Sequence, residues 1–215
     1  MTRSSAAYLK SLNDNRSVFL NEKAIENVTT HPAYQQAAKS IANLYDFQGA
    51  PENLERMTYQ SPKTGNRVGR MWQLPTNYEE LVNRREALTT WAETHYGFMG
   101  RSPDHVASTL AGFYMGSHVY AQHGSERVAA VEQYYEYARD NDLYISYVII
   151  DPQGDRSKSR SENGNADLTV SICDEDSEGI TIKGAKMLGT GAVLSDEVLV
   201  STLRPMNKGE EKWAF

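Results

Sequence analysis

The hydrophobic periodicity of the chain changes near residue 143, and this change constrains the fold more than any other feature. Up to that point apolar residues recur at helical spacing. The pattern predicts helices at 32–47, 78–96, 102–120 and 126–141. Beyond it, β-branched and aromatic residues in short runs predict strands at 144–150, 168–174, 179–188 and 197–203. Helices followed by strands indicate an α+β chain, with a helical N-terminal domain at 1–143 and a β domain at 144–215.

The β domain is predicted to be incomplete. Its few strands would leave open edges, which proteins usually cover. The chain also stops at EKWAF, where a further strand is expected to begin. We therefore expect the chain to be a fragment.

Charge and composition exclude several functional classes. The net charge is -6 and no run is dense in Lys or Arg, which argues against a nucleic-acid or anionic-membrane partner. No apolar stretch approaches the roughly 20 residues of a spanning helix, and no signal peptide is visible, so a cytoplasmic protein is expected. The single cysteine, Cys173, cannot form an internal disulfide and is predicted to be a small buried side chain. His118 and His123 do not suit one helix face, and no metal site is predicted.

A polar loop directly follows the strand at 144–150. Asp151 and Pro152 stop the strand, because proline fixes φ and lacks an N–H donor. An amide, an unhindered backbone, a carboxylate and a guanidinium then follow in Gln153, Gly154, Asp155 and Arg156. Such groups can pair with the edge of a flavin ring and with its diphosphate. The alternative, which composition alone favours, is a polar loop that closes a hairpin.

A glycine-rich loop at 184–191 lies between two predicted strands. Its backbone could approach a ligand closely, and Thr190 adds a hydroxyl group. An ordinary hairpin turn is the equally good alternative.

Another polar cluster, Gly100 to His105, stands at the start of a predicted helix. Ser102 is a predicted N-cap, and Pro103 suits the first helical position. Free N–H groups and the helix dipole favour anions there, so Arg101 and His105 could together bind a phenolate or a carboxylate. Ordinary structural roles, such as a surface ion pair for Arg101, are the alternatives.

Several motifs together resemble one known family. GFMGRSPDH (97–105), YVIIDPQGDRSK (147–158) and GITIKGAKMLGTGAVLSDEVLV (179–200) are similar to the 4-hydroxyphenylacetate 3-monooxygenase family, and so is the opening segment from YLKSLNDNRS onward. The resemblance implies an acyl-CoA dehydrogenase-like fold: a helical N-terminal domain, an antiparallel β-barrel-like middle domain, and a C-terminal helical bundle that builds a homotetramer. This chain would hold the first domain and part of the second, with the bundle absent.

The resemblance also implies a function. Members are the oxygenase components of two-component flavin monooxygenases, which receive reduced FAD from a separate flavin reductase. Reduced FAD and O2 form a C4a-hydroperoxide that hydroxylates a phenolic substrate ortho to its hydroxyl group. The alternative is a non-catalytic or truncated flavin-binding module, since a fragment could be inactive. A related dehydratase branch needs cluster-binding cysteines, which Cys173 alone cannot supply.

The resemblance assigns site residues as well. Arg101 matches the arginine that contacts the phenolic oxygen. His105 stands where the family usually has tyrosine and Tyr147 where it usually has histidine, so this pair looks exchanged. These three are the predicted catalytic residues. The same residues with Ser102, Ser201 and Thr202 are expected to bind substrate, while Gln153, Gly154, Asp155, Arg156 and Thr190 match the flavin-binding positions.

Overall fold

The structure of the chain is a computed structural model that describes residues 2–155, 157–158, 168–203 and 205–214. It divides into two compact units. The first comprises Met1–Ile145 with Val193–Glu197, and the second comprises Ser146–Ala192 with Val198–Phe215. The domain boundary expected at 143 and 144 stays a prediction.

The first unit is mainly helical. Its helices are α1 (Ser5–Ser11), α2 (Gln35–Gly49), α3 (Leu54–Met57), α4 (Tyr78–Thr94), α5 (Asp104–Met115) and α6 (Ser125–Asp140). Two antiparallel hairpins accompany them, β1 (Val18–Leu20) with β2 (Lys23–Ile25), and β3 (Thr58–Gln60) with β4 (Arg67–Gly69). None of the helices among the described residues is both long and apolar enough to span a membrane.

The predicted helices are confirmed as α2, α4, α5 and α6, with shifted ends. The helix predicted at 32–47 begins only at Gln35, because the residues before it form separate hydrogen-bonded turns. The helix predicted to reach residue 120 ends at Met115. The Gly116 N–H closes it by donating to the Gly112 carbonyl, and a 3-10 helix, Ser117–His123, follows. Helix α1 and both hairpins were missing from the prediction.

The core of the first unit forms around α1 and α2. Tyr8 and Tyr45 are fully buried, and their ring centroids lie 5.3 Å apart. Leu12, Ile41, Tyr144 and Leu194 belong to the same buried cluster. Burial of each large side chain contributes about 1.5–3 kcal/mol, so this cluster is a major source of stability.

A buried ion pair lies beside this core. Arg3 donates to both carboxylate oxygens of Asp196 at 2.6 Å, and each side chain is 9% exposed. The Ser11 hydroxyl (2.5 Å) and the Tyr144 N–H (2.8 Å) donate to the same carboxylate. Burial alone would raise the pKa of Asp196, but the hydrogen bonds and charge of Arg3 outweigh it and hold that pKa below its usual range.

The second unit contains a strand hairpin. Strands β6 (Ser171–Asp176) and β7 (Gly179–Lys183) pair antiparallel, with a register shift between Ile172 and Asp174. Cys173 lies at this bulge and is exposed, so the prediction that it is buried was wrong. That prediction depended on residue type alone, whereas most residues of both strands of this hairpin are exposed.

The remaining strands, β5 (Ile145–Val148) and β8 (Glu197–Val200), pair with each other. The Asp196 N–H donates to the Tyr144 carbonyl and the Ser201 N–H to the Val148 carbonyl, so the two strands run parallel. Among the described residues the strands form only two-stranded sheets, and no closed barrel is present. The strand expected at EKWAF is instead a 3-10 helix, Glu211–Trp213, with Trp213 buried.

We predict that Arg3→Ala destabilises the chain strongly. The substitution leaves the Asp196 carboxylate buried without its cation, which costs about 3–5 kcal/mol of unfolding free energy. Lys63→Ala is the matched control, because the Lys63 side chain is 56% exposed in its ion pair with Glu136. An exposed pair contributes only about 0–1 kcal/mol. Equal losses in urea unfolding of the two variants would contradict the prediction.

Candidate functional site

The predicted phenol-binding residues of the first unit lie on one segment at the start of α5. The helix begins at Asp104, and the Ser102 hydroxyl donates to the Asp104 carboxylate. No side chain caps the helix, so the prediction of Ser102 as a capping residue was wrong. The Ser102 carbonyl nevertheless accepts a bond from the His105 N–H at 3.0 Å, which places exposed His105 in the first helical turn.

Arg101 directly precedes this helix and is half-buried. Its guanidinium Nη1 donates to the Gly100 carbonyl at 2.8 Å. Its own carbonyl accepts a bond from the hydroxyl of Tyr144 at 2.7 Å. Tyr144 is 2% exposed, so the backbone of Arg101 is attached to the core of the first unit.

The second unit brings three candidate segments together around the end of β5. The Val148 carbonyl accepts from the Ser201 N–H at 3.1 Å, and the Ile150 carbonyl accepts from the Met187 N–H at 2.7 Å. A Cβ atom at Gly189 would lie 2.8 Å from Val148 Cγ1, so the glycine-rich loop packs directly against this strand. Tyr147, Thr190 and Ser201 therefore lie on neighbouring segments.

A buried ion pair connects the same three segments. Lys186 Nζ lies 2.7 Å from the Asp151 carboxylate, and the two side chains are 3% and 12% exposed. Lys186 also lies 3.5 Å from the hydroxyl of Thr202. Sequence reasoning missed this pair and read Asp151 only as the end of a strand. A lone lysine between glycines and apolar neighbours was the available signal, because a buried ammonium group requires a partner.

The predicted flavin loop is exposed at Gln153, Gly154 and Asp155. The Asp155 carboxylate accepts bonds from the Ser157 hydroxyl (2.6 Å) and N–H (3.0 Å), and these bonds hold its pKa below the usual range. Asp155 is therefore ionised near neutral pH and closes a turn within the loop. Arg156 lies outside the described residues.

The predicted site residues thus form two groups. Arg101, Ser102 and His105 belong to the first unit. The second unit holds Tyr147, Gln153, Gly154, Asp155, Thr190, Ser201 and Thr202. Within the described part of the chain, no cluster of His, Cys, Asp and Glu side chains could hold a metal ion. The exposed amide, hydroxyl and backbone groups of the second unit are suited instead to hydrogen-bonding an organic cofactor.

Comparison with curated proteins identifies relatives of the whole chain. It is 35% identical over 201 residues to the oxygenase component of 4-hydroxyphenylacetate 3-monooxygenase from Geobacillus sp. (strain PA-9), covering 93% of this chain and 40% of the relative. It is 37% identical over 198 residues to the pyoverdin chromophore biosynthetic protein PvcC of Pseudomonas aeruginosa, covering 91% and 38%. The chain therefore spans about 40% of the length of these relatives.

A solved structure shows the same fold. The oxygenase component of 4-hydroxyphenylacetate 3-monooxygenase, complexed with FAD and 4-hydroxyphenylacetate, matches with a TM-score of 0.86 and 29% identity. The match covers 99% of this chain and 43% of that one. The family model described as 4-hydroxyphenylacetate 3-hydroxylase N terminal matches residues 4–215. The chain therefore belongs to the 4-hydroxyphenylacetate 3-hydroxylase family and corresponds to the N-terminal region of its members.

Proposed function

We propose that the chain carries phenol-binding and flavin-binding residues of the oxygenase component of a two-component monooxygenase. The reaction is ortho-hydroxylation of a phenol with reduced FAD and O2. The observation that carries this proposal is the position of Arg101, which the core holds at a helix N-terminus in a chain that matches a phenol-binding and FAD-binding structure along its length.

Arg101 is proposed to bind the phenolic oxygen. A guanidinium is charged at every working pH, and its hydrogen bonds are strongest to an anionic acceptor. Its charge would lower the pKa of the bound phenol and favour the phenolate, whose ortho carbons are richer in electrons. The N-terminus of α5 adds a further attraction for an anion.

His105 and Tyr147 are the other proposed catalytic residues. Each retains a hydrogen-bond donor even though the two residue types are exchanged relative to the family pattern. His105 is exposed in the first turn of α5, and Tyr147 is half-buried on β5. Ser102, Ser201 and Thr202 are proposed to contact the substrate through their hydroxyl groups.

The residues of the second unit fit FAD. Gln153 offers both a donor and an acceptor to the edge of the flavin ring, Gly154 allows close backbone approach, and Thr190 adds a hydroxyl. All three are exposed, and their segments lie beside the same strand. Asp155 orders the loop, and Arg156 is proposed for the diphosphate. When bound, reduced FAD supplies the reaction with O2 that delivers one oxygen atom to the substrate.

The proposal includes partners. A relative that is called an oxygenase component implies a second component, and we propose a separate flavin reductase that supplies reduced FAD. We also propose a homotetramer of the complete protein in the cytoplasm, from the family resemblance. Large exposed apolar side chains such as Phe98, which is 91% exposed, are consistent with further association.

We predict that Arg101→Ala weakens binding of 4-hydroxyphenylacetate. Loss of a charge-assisted hydrogen bond costs roughly 1.5–3 kcal/mol, or about 10-fold to 150-fold in Kd. The protein for calorimetry is the extended version, meaning this chain followed by the C-terminal region of a relative, with FAD present. Arg85→Ala, which removes an exposed arginine of α4, is the control and should leave the Kd unchanged. An unchanged Kd in Arg101→Ala would remove Arg101 from the site.

We further predict that Lys186→Met weakens binding of reduced FAD about 10-fold, because the Asp151 carboxylate would lose its ammonium partner, move toward water and displace the flavin loop. Lys183→Met is the control, since Lys183 is exposed on β7 in the same unit. Anaerobic titration of the extended version with reduced FAD measures both. Equal affinities of the two variants would contradict the role of the ion pair. No binding by the extended version without substitutions would overturn the proposed function itself.

A further inference from the structure

Tyr144 is held through its backbone, its ring and its hydroxyl group. Its N–H donates to the Asp196 carboxylate at 2.8 Å, and its carbonyl accepts from the Asp196 N–H at 2.7 Å. Its ring belongs to the buried cluster of the first unit. The hydroxyl group at the end of the ring donates a hydrogen bond to the carbonyl of Arg101 at 2.7 Å. The tyrosine therefore links the core to one particular backbone group.

The segment that Tyr144 reaches has a second attachment to the same core. The Met99 side chain packs against the buried cluster, while neighbouring Phe98 is 91% exposed. The Met99 N–H also donates to His95 Nδ1 at 3.3 Å, which closes the turn after α4. Met99 and the carbonyl of Arg101 together determine where this chain segment lies on the core.

We propose that Tyr144 is a positioning residue for phenol binding, whose hydroxyl fixes the Arg101 backbone so that the guanidinium meets the phenolic oxygen. The inference rests on the proposed role of Arg101. Misplacement of a binding group by about 1 Å can cost up to about 100-fold in rate, so the orientation of this backbone is functionally important.

The hydroxyl of Tyr144 is a dependable donor. Burial raises the pKa of Tyr144 to about 12, so the group stays protonated across the neutral range. The Arg101 carbonyl has no proton to give, and the direction of the bond is therefore fixed.

The chain supplies a matched control in Tyr8. Tyr8 is fully buried in the same cluster, and its hydroxyl donates to the Leu194 carbonyl at 2.7 Å. Tyr8→Phe and Tyr144→Phe each remove one buried hydroxyl and one bond of equal length to a backbone carbonyl. Only the second changes a bond to Arg101.

The experiment compares these variants in the extended version with FAD present and 4-hydroxyphenylacetate as the probe. We expect Tyr144→Phe to raise the Kd of the probe about five-fold, which corresponds to one neutral hydrogen bond. Tyr8→Phe should change the Kd less than about two-fold. The two variants should lower the Tm by similar amounts, since each loses one buried hydrogen bond to a backbone carbonyl. In an Arg101→Ala background, Tyr144→Phe should have no further effect on the Kd, because the two substitutions act through one contact.

Amide hydrogen exchange on the 215-residue chain gives a readout without any ligand. Exchange at 99–105 should be faster in Tyr144→Phe and unchanged in Tyr8→Phe. Equal Kd shifts in the two variants, an effect of Tyr144→Phe that persists without Arg101, or unchanged exchange at 99–105 would each overturn the inference. If the extended version without substitutions does not bind the probe, the proposed function is overturned. The exchange result then tests only whether the Tyr144 hydroxyl fixes the backbone at Arg101.

Discussion

The buried ion pair between Arg3 and Asp196 is the interaction on which the first unit depends. The Asp196 carboxylate accepts hydrogen bonds from Arg3 and Ser11 near the N-terminus and from the backbone of Tyr144. These residues are far apart in sequence, so one buried anion closes a long loop of the chain. Its burial is tolerable only because Arg3 compensates the charge, and the hydrogen bonds satisfy the remaining acceptor sites. Because Tyr144 is fixed in this way, the segment that carries Arg101 has a rigid support.

The second unit uses a similar arrangement at a smaller scale. Lys186 and Asp151 form a buried pair between the glycine-rich loop and the end of β5, beside Thr202. In the first unit the buried pair is linked to Arg101 through Tyr144, and in the second unit the buried pair lies beside Thr202. We infer that such pairs fix the geometry of exposed loops, because an ion pair within a core has few alternative arrangements that leave both charges compensated.

Local patterns in the sequence predicted the main helices well, but they did not predict which distant side chains contact each other. The periodicity located α2, α4, α5 and α6, since each places apolar residues on one face over several turns. The pairs Asp151–Lys186 and Tyr144–Arg101 were missed because the partners are far apart along the chain. The setting of Lys186 indicated that it needs a partner, but nothing local indicated which residue that partner is. Cys173 was predicted to be buried from its residue type, but it lies in a hairpin whose strands are mostly exposed, and residue type does not reveal that. The roles of Arg101, His105 and Tyr147 came from the family resemblance and not from periodicity.

The proposed function requires that a phenol receives an oxygen atom from O2 in a reaction that consumes reduced FAD. The most direct measurement supplies the extended version with reduced FAD, 4-hydroxyphenylacetate and ¹⁸O-labelled O2, and determines the mass of the product. We expect a product that is hydroxylated ortho to the phenolic oxygen and carries one labelled atom. A product whose new oxygen comes from water, or oxidation of reduced FAD by O2 with no hydroxylated product, would contradict the proposed function.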